Sequence, residues 1–256
     1  QCAAYGGIEF DLNPIEIYEY SDMVDYMSNF MTGANFQFQL HPNHQLQLQV
    51  LDSRSASMSD MYGEGYEQSK VPLVYTVNWN GSFGGVFNTR WSYSIMSQAK
   101  GYQSHYVALG NELNLDRFNA FFDVMYMREG IDREGIVSGI IGNNPEGGHL
   151  NDAQYLSFVL KAQYRFNPKW NVFVQGMLEN EGLSKANGVI EKGKYRTAYG
   201  YLAGIEFYPL NNSNLHFFLT YVGRNYSYTD RAKAYGADNY STNRISLGYI
   251  WQLPMF

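Results

Sequence analysis

The chain has 256 residues, of which 45% are hydrophobic and 17% aromatic, and a formal net charge of −6. Its mean hydropathy is −0.37, and the lack of any apolar run of about eighteen residues excludes a membrane-spanning helix. An acidic balance with no basic stretch excludes nucleic acid as a partner. A single cysteine, Cys2, excludes an internal disulfide framework and a Cys-based zinc site.

The chain opens without the charged and apolar regions of a signal peptide, which reads as a trimmed N-terminus. A partial strand is predicted near Ala3–Phe10, where Gly6 and Gly7 mark a kink or a close backbone approach. Residues 11–32 are expected to form an extracellular link. Within it Ser21 is an N-cap ahead of Met23, Met27, Phe30 and Met31 at helical spacing. Two readings of that short helix stand: a constriction element with Asp22 and Asp25 facing the lumen, or a cap on the rim.

From residue 34 onward the apolar period is two. Ala34, Phe36, Phe38 and Leu40 pair across a turn with Leu46, Leu48 and Val50. Val71, Leu73, Tyr75, Val77 and Trp79 follow, then Phe87, Trp91, Tyr93 and Ile95, and then Val107, Leu109, Leu113 and Leu115. Next come Phe118, Ala120, Phe122, Val124 and Tyr126, and Leu156, Phe158, Leu160, Ala162 and Tyr164. Trp170, Val172, Val174 and Leu178 precede Tyr195, Tyr199, Tyr201, Ala203, Ile205 and Phe207. Leu215, Phe217, Leu219 and Tyr221 lead to the last segment, Ile245, Leu247, Tyr249, Trp251 and Leu253, closed by Phe256.

The connections sort by length. Tight turns are predicted at His41–His44, Asn80–Gly84, Asp116–Arg117, Asn167–Lys169 and Asn211–Asn214, all built from turn-forming residues. Longer polar links fall at Asp52–Lys70, Glu129–Asp152, Asn180–Lys194 and Asn225–Thr242. Only the link near Lys100–Gln103 is short where a long one is due. Short turns alternating with long links, aromatic abundance (23 Tyr, 16 Phe and 4 Trp) and a final strand ending on Phe look like an outer-membrane barrel. The expected fold is therefore all-β: a transmembrane antiparallel up-and-down β-barrel of about twelve strands, residues 1–256 forming one domain.

The positions opposite the apolar stripe line the interior. They carry a mixed-charge wall that includes Arg90, Asp123, Lys161, Arg165, Arg196, Glu206, Arg224 and Arg244, interspersed with Gln, Asn and Ser. Arg196, Arg224 and Arg244 fall on three consecutive strands at roughly equal distance from the periplasmic end. Such a patch favours anions, because guanidinium groups bind oxyanions bidentately; alternatively these arginines pair with Glu179, Glu206 and loop acids to stiffen the wall.

The segments Gly6-Gly-Ile-Glu-Phe-Asp-Leu-Asn-Pro14, Tyr20-Ser-Asp-Met-Val-Asp-Tyr26, Lys169-Trp-Asn-Val-Phe-Val174 and Thr242-Asn-Arg-Ile-Ser-Leu-Gly248 resemble porins of Bacteroidota related to the phosphate-selective porin O and P group. The resemblance implies a sixteen-stranded barrel, often trimeric, of which this chain would supply the C-terminal majority; closure as a smaller even-numbered barrel is the other possibility. It also implies a location in the bacterial outer membrane, against lipid and lipopolysaccharide, and passive passage of small solutes or anions. The scattered histidines (His41, His44, His105, His149 and His216) form no metal site, and no nucleophile elbow or phosphate-cradling glycine loop occurs. No enzyme activity and no cofactor are expected. A non-conducting scaffold barrel in a larger outer-membrane complex is the alternative function.

Overall fold

Alternating apolar and polar residues satisfy a surface that is apolar on one side only, and the chain builds such a surface almost throughout. The computed structural model describes residues 32–52, 73–132, 135–142, 149–210 and 215–251. The strands are β1 (Thr32–His41), β2 (His44–Asp52), β3 (Leu73–Phe83), β4 (Phe87–Ser97), β5 (Gln103–Asn114), β6 (Phe118–Ile131), β7 (Asn151–Asn167), β8 (Trp170–Leu183), β9 (Gly193–Phe207), β10 (Leu215–Tyr228) and β11 (Tyr240–Trp251). They form one sheet in which each strand pairs only with its sequence neighbours, always antiparallel. Among the described residues β1 and β11 are the two edges, and the sheet is not closed. A twelfth strand at Ala3–Phe10, the helix with Asp22 and Asp25, the turn Asn211–Asn214, and Leu253 and Phe256 lie outside the described residues.

The two faces divide as the alternation predicts. Tyr75, Val77, Trp91, Tyr93, Leu160, Val174, Ile205 and Leu219 are exposed on the convex face, while Thr76, Asn78, Ser92, Ser94, Asp123, Ser157 and Gln175 are buried on the concave face. This distribution is the inverse of a water-soluble protein, in which a contiguous apolar surface of this extent is rare. At the short-turn end the outer aromatics form a belt: Trp79 lies 5.2 Å from Trp91, Trp170 4.6 Å from Phe207 and Phe217 6.2 Å from Tyr249. On β6 and β9 the other border is marked by Tyr126 and Tyr199, each eight residues from the short-turn end of its strand. Phe207 and Tyr199 are separated by eight residues of β9, about 26 Å along the strand, or about 20 Å of depth at a barrel tilt of about 40°, which covers most of an outer-membrane apolar band.

Strands run further than the sequence reading allows. β3 continues through Asn80 to Phe83, and the turn is made at Gly84–Val86, where Gly84 and Gly85 take φ of +60° and +71°. The long links contract to 132–150, 184–192 and 229–239, because polar residues such as Glu181, Lys194 and Asn225 extend the ladder. Tyr195 also departs from expectation. Glu181 pairs with Arg196 and Gly182 with Lys194, so Tyr195 is the extra residue of a β-bulge, and the bulge turns it away from the outer face. It is fully buried, and its hydroxyl donates to the Glu191 carbonyl.

Glycines set the spacing between strands. Gly204 pairs with Phe173 and Gly223 with Tyr201, and in each case the aromatic ring lies over the bare Cα. A Cβ at Gly204 would overlap the Phe173 ring on the concave face. Gly204→Val is therefore expected to cost about 1–3 kcal/mol by overpacking. The check is urea unfolding of the lipid-reconstituted protein; an unchanged midpoint would contradict this packing.

Candidate functional site: the concave wall

Every expected wall residue in the described segments lies on the concave face, and the antiparallel register arranges them in rows. Arg90 shares a row with Gly110, Asp123, Gly200 and Arg224. Lys161 lies one row toward the short turns, in line with Glu112, Phe121, Gln175, Val222 and Arg244. Arg165, Asn171 and Glu206 share a row nearer the short-turn rim.

Arg196, Arg224 and Arg244 do not share a register row. Arg224 pairs with Gly200, and Arg244 with Val222 and hence Leu202. The three descend through six residues of β9, about 20 Å along the strand direction. Equal counting from strand ends misses this because the register between tilted strands is staggered.

Their partners differ too. Arg196 is buried and forms a two-point ion pair with Glu181 through Nε and Nη2. The Tyr226 ring lies between two guanidinium groups: the Arg196 Cζ is 4.8 Å and the Arg224 Cζ 5.5 Å from its centroid, and Arg224 Nη1 donates to the Tyr226 hydroxyl at 2.6 Å. Lys161 is held between the rings of Phe121 and Phe173, 5.6 Å from each, a cation–π arrangement that offsets its burial.

At the short-turn rim Glu206 accepts from Asn171 Nδ2 at 2.7 Å and lies 3.7 Å from His216 Nε2. Arg165 sits over the ring of Tyr208 at 5.6 Å. Burial, and secondarily the charge of Glu206, push the Tyr208 hydroxyl up to about 12, so it stays protonated at any physiological pH.

The long-link end of the concave face is apolar, contrary to a uniformly hydrophilic lining. Leu51, Val74, Met96, Met125, Met127, Tyr155 and Leu183 project inward there. They are covered by helix α1 (Ile136–Ile141), whose Val137 and Ile141 join this core, and by Leu150, Ile190 and Ala232 of helix α2 (Asp230–Lys233). Asp132 anchors the first link: it accepts from the Ser138 amide and hydroxyl at 2.7 Å each and from the Tyr155 hydroxyl at 2.5 Å. Asp152 ties the neighbouring strands through Arg128 at 2.8 Å and Lys185 at 3.3 Å.

Sequence reasoning missed Glu181, His216, Tyr226 and Asp132. Extending the alternation of Glu179 by two residues would have found Glu181, and the even-numbered face of Arg224 contains both His216 and Tyr226. No local signal marks Asp132, whose role depends on a link folding inward. Because Arg196→Met leaves Glu181 buried without its partner, it is expected to destabilise the protein by about 3–5 kcal/mol. Chemical unfolding of the reconstituted variant measures this, and a loss below about 1 kcal/mol would place the pair in solvent.

Comparison with known proteins adds the family. The pattern described as phosphate-selective porin O and P matches residues 1–253. Among solved structures, the outer membrane channel DcaP of Acinetobacter baumannii superposes with a TM-score of 0.64 at 11% identity, over 86% of this chain and 62% of that one. Acinetobacter baumannii OccAB3 superposes with a TM-score of 0.51 at 14% identity, over 87% of this chain and 57% of that one. The chain thus spans about three fifths of the length of these two proteins, and identities this low speak to fold alone. A search of curated protein sequences found no match. Matched over nearly its whole length, and folded as the sheet of an outer-membrane β-barrel, the chain belongs to the phosphate-selective porin O and P family.

Proposed function

We propose that this chain forms most of the wall of a passive diffusion channel for small hydrophilic solutes in the outer membrane of a Bacteroidota cell, with a preference for anions. The observation that carries the channel reading is the inverted distribution of side chains, apolar outward and polar inward. Such a sheet needs hydrocarbon outside and water inside. No bond is made or broken in this function. Lipid and lipopolysaccharide border the convex face, and assembly as a homotrimer belongs to the same reading.

Anion preference follows from unequal exposure of the wall charges. Most of the acids are withdrawn: Asp123, Glu129, Glu179, Glu181 and Glu206 are buried, and Glu112 alone among the acids of the described wall is half-buried. Four of the cations reach the open face, with Arg165 and Arg244 exposed and Arg90 and Arg224 half-buried. A solute in the lumen therefore meets more accessible positive than negative charge, although the chain as a whole is acidic. Asp22 and Asp25 remain candidates for a constriction, and they would act against this preference.

One observation favours the scaffold alternative. The links packed over the long-link end narrow the concave face there, and a fully blocked lumen would leave a structural barrel.

Single-channel recording of the full-length protein in planar bilayers under a salt gradient separates these readings. Stepwise conductance with an anion-selective reversal potential is expected. Arg224→Glu and Arg244→Glu should each move that potential toward cations, more strongly at low ionic strength, where screening is weak. Unchanged selectivity in both variants would remove the arginines from the account. The absence of conductance would leave the scaffold.

A further inference from the structure

The concave wall is divided chemically. On β4–β11 it carries the charges described above, whereas on β1–β3 its polar side chains are all uncharged. Six carboxamides form a regular grid there. Gln37, Gln47 and Asn78 make one register row, and Gln39, Gln45 and Asn80 the next. Neighbouring strands place the amides about 4.8 Å apart, and the two rows are about 7 Å apart along the strands. The amides orient one another: Asn78 Nδ2 donates to Gln47 Oε1 at 3.0 Å and to Asn80 Oδ1 at 3.1 Å, and Asn80 Nδ2 donates to Gln45 Oε1 at 3.4 Å. Asn78 is 2% exposed, and its own Oδ1 has no partner.

The lower row opens into a cavity of about 580 Å³ near the short turns, lined by Gln39, Gln45, Asn80 and Asn88 and bounded by Arg90 and Glu112. That volume falls within the range of small-molecule sites. Glu112 is held for acceptance from above by Asn88 Nδ2 at 3.0 Å and Asn119 Nδ2 at 2.8 Å.

We propose that this amide grid is a binding track for uncharged polyhydroxylated solutes of mono- to trisaccharide size, bounded by Arg90 and set apart from Arg165, Arg224 and Arg244. The inference rests on the channel reading above. A carboxamide presents donors and acceptors together, as a hydroxyl does, so a grid of them matches a row of hydroxyls whichever way each O–H points. It carries no net charge, so it has no electrostatic preference for an oxyanion. Repeated, equivalent, individually weak contacts let a solute move from row to row, which passage through a channel requires. The guanidinium of Arg90 and the carboxylate of Glu112 add a fixed donor and a fixed acceptor at the end of the track.

The test uses the full-length protein in planar bilayers with maltose and maltotriose as probes. Both sugars are expected to reduce the open-channel current in a saturable manner, and inorganic phosphate should not relieve the block. Asn80→Leu and Gln45→Met, each normalised to its own open current, should raise the half-blocking concentration about 2- to 10-fold, the loss of one or two hydrogen bonds. Two independent variants, each checked for heat-modifiable gel mobility, guard against failure of either to fold. A conducting wild-type channel that neither sugar blocks, or block that both variants leave unchanged, overturns the track while the diffusion channel stands. Competition by phosphate also overturns it, because it would assign the sugars to the arginines. A wild-type protein without conductance overturns both.

Discussion

Hydrocarbon offers no partner to a backbone N–H or C=O, and that requirement governs everything else in this fold. An antiparallel sheet in which each inner strand pairs with both sequence neighbours satisfies it with local connections only. Once that ladder is in place, side chains must alternate between two media. The convex face is given to lipid, so every group that binds water, ions or solutes is forced onto the concave one. Strands longer than the roughly 9–11 residues a bilayer requires, such as the 17-residue β7, carry the ladder beyond the membrane. There the concave face is closed by the chain's own links instead of water.

This division explains which features were legible in the sequence. Facing is a local property of period two, so the outward position of Tyr75, Trp91 or Leu219 and the inward position of Arg90 or Lys161 could be read directly. Turns were legible wherever their chemistry is local, as at Pro42 and Asn43 between β1 and β2. Strand ends were less so, because Glu181 and Asn225 look like loop residues until they are seen as members of a ladder. The bulge at Tyr195 and the anchoring of 132–150 by Asp132 arise from contacts between distant segments, which no window of sequence contains. That Arg196, Arg224 and Arg244 fall in different register rows was not legible for a related reason. Register is a property of strand pairs, and counting along one strand does not supply it.

The charges of the wall combine structural and functional demands. A buried acid in a membrane protein needs a partner close by, and Glu181 with Arg196 and Glu206 with Asn171 meet that need. Burying most of the acids in this way leaves the longer arginine side chains as the larger share of the accessible charge, with Glu112 half-buried beside them. An electropositive lumen surface can thus arise in an acidic protein without any excess of basic residues in the wall. Any anion preference would then be set by burial as much as by composition, and a count of lumen charges would not reveal it.

Strand direction adds a constraint on the complete barrel. β1 and β11 are both odd-numbered members of a strictly alternating sheet, so they run the same way, toward the short-turn end. Pairing these two edges directly would make a parallel contact. A wholly antiparallel closure therefore takes an odd number of further strands between them, and one strand or five would both serve. The first gives twelve strands and the second sixteen, each even as outer-membrane barrels of this type require. The two solutions differ in what faces the amide grid. With twelve strands the grid on β1–β3 lies near the arginines of β10 and β11 across a single strand. With sixteen, a wider lumen separates them, and the neutral and positive sides of the wall act on a passing solute independently.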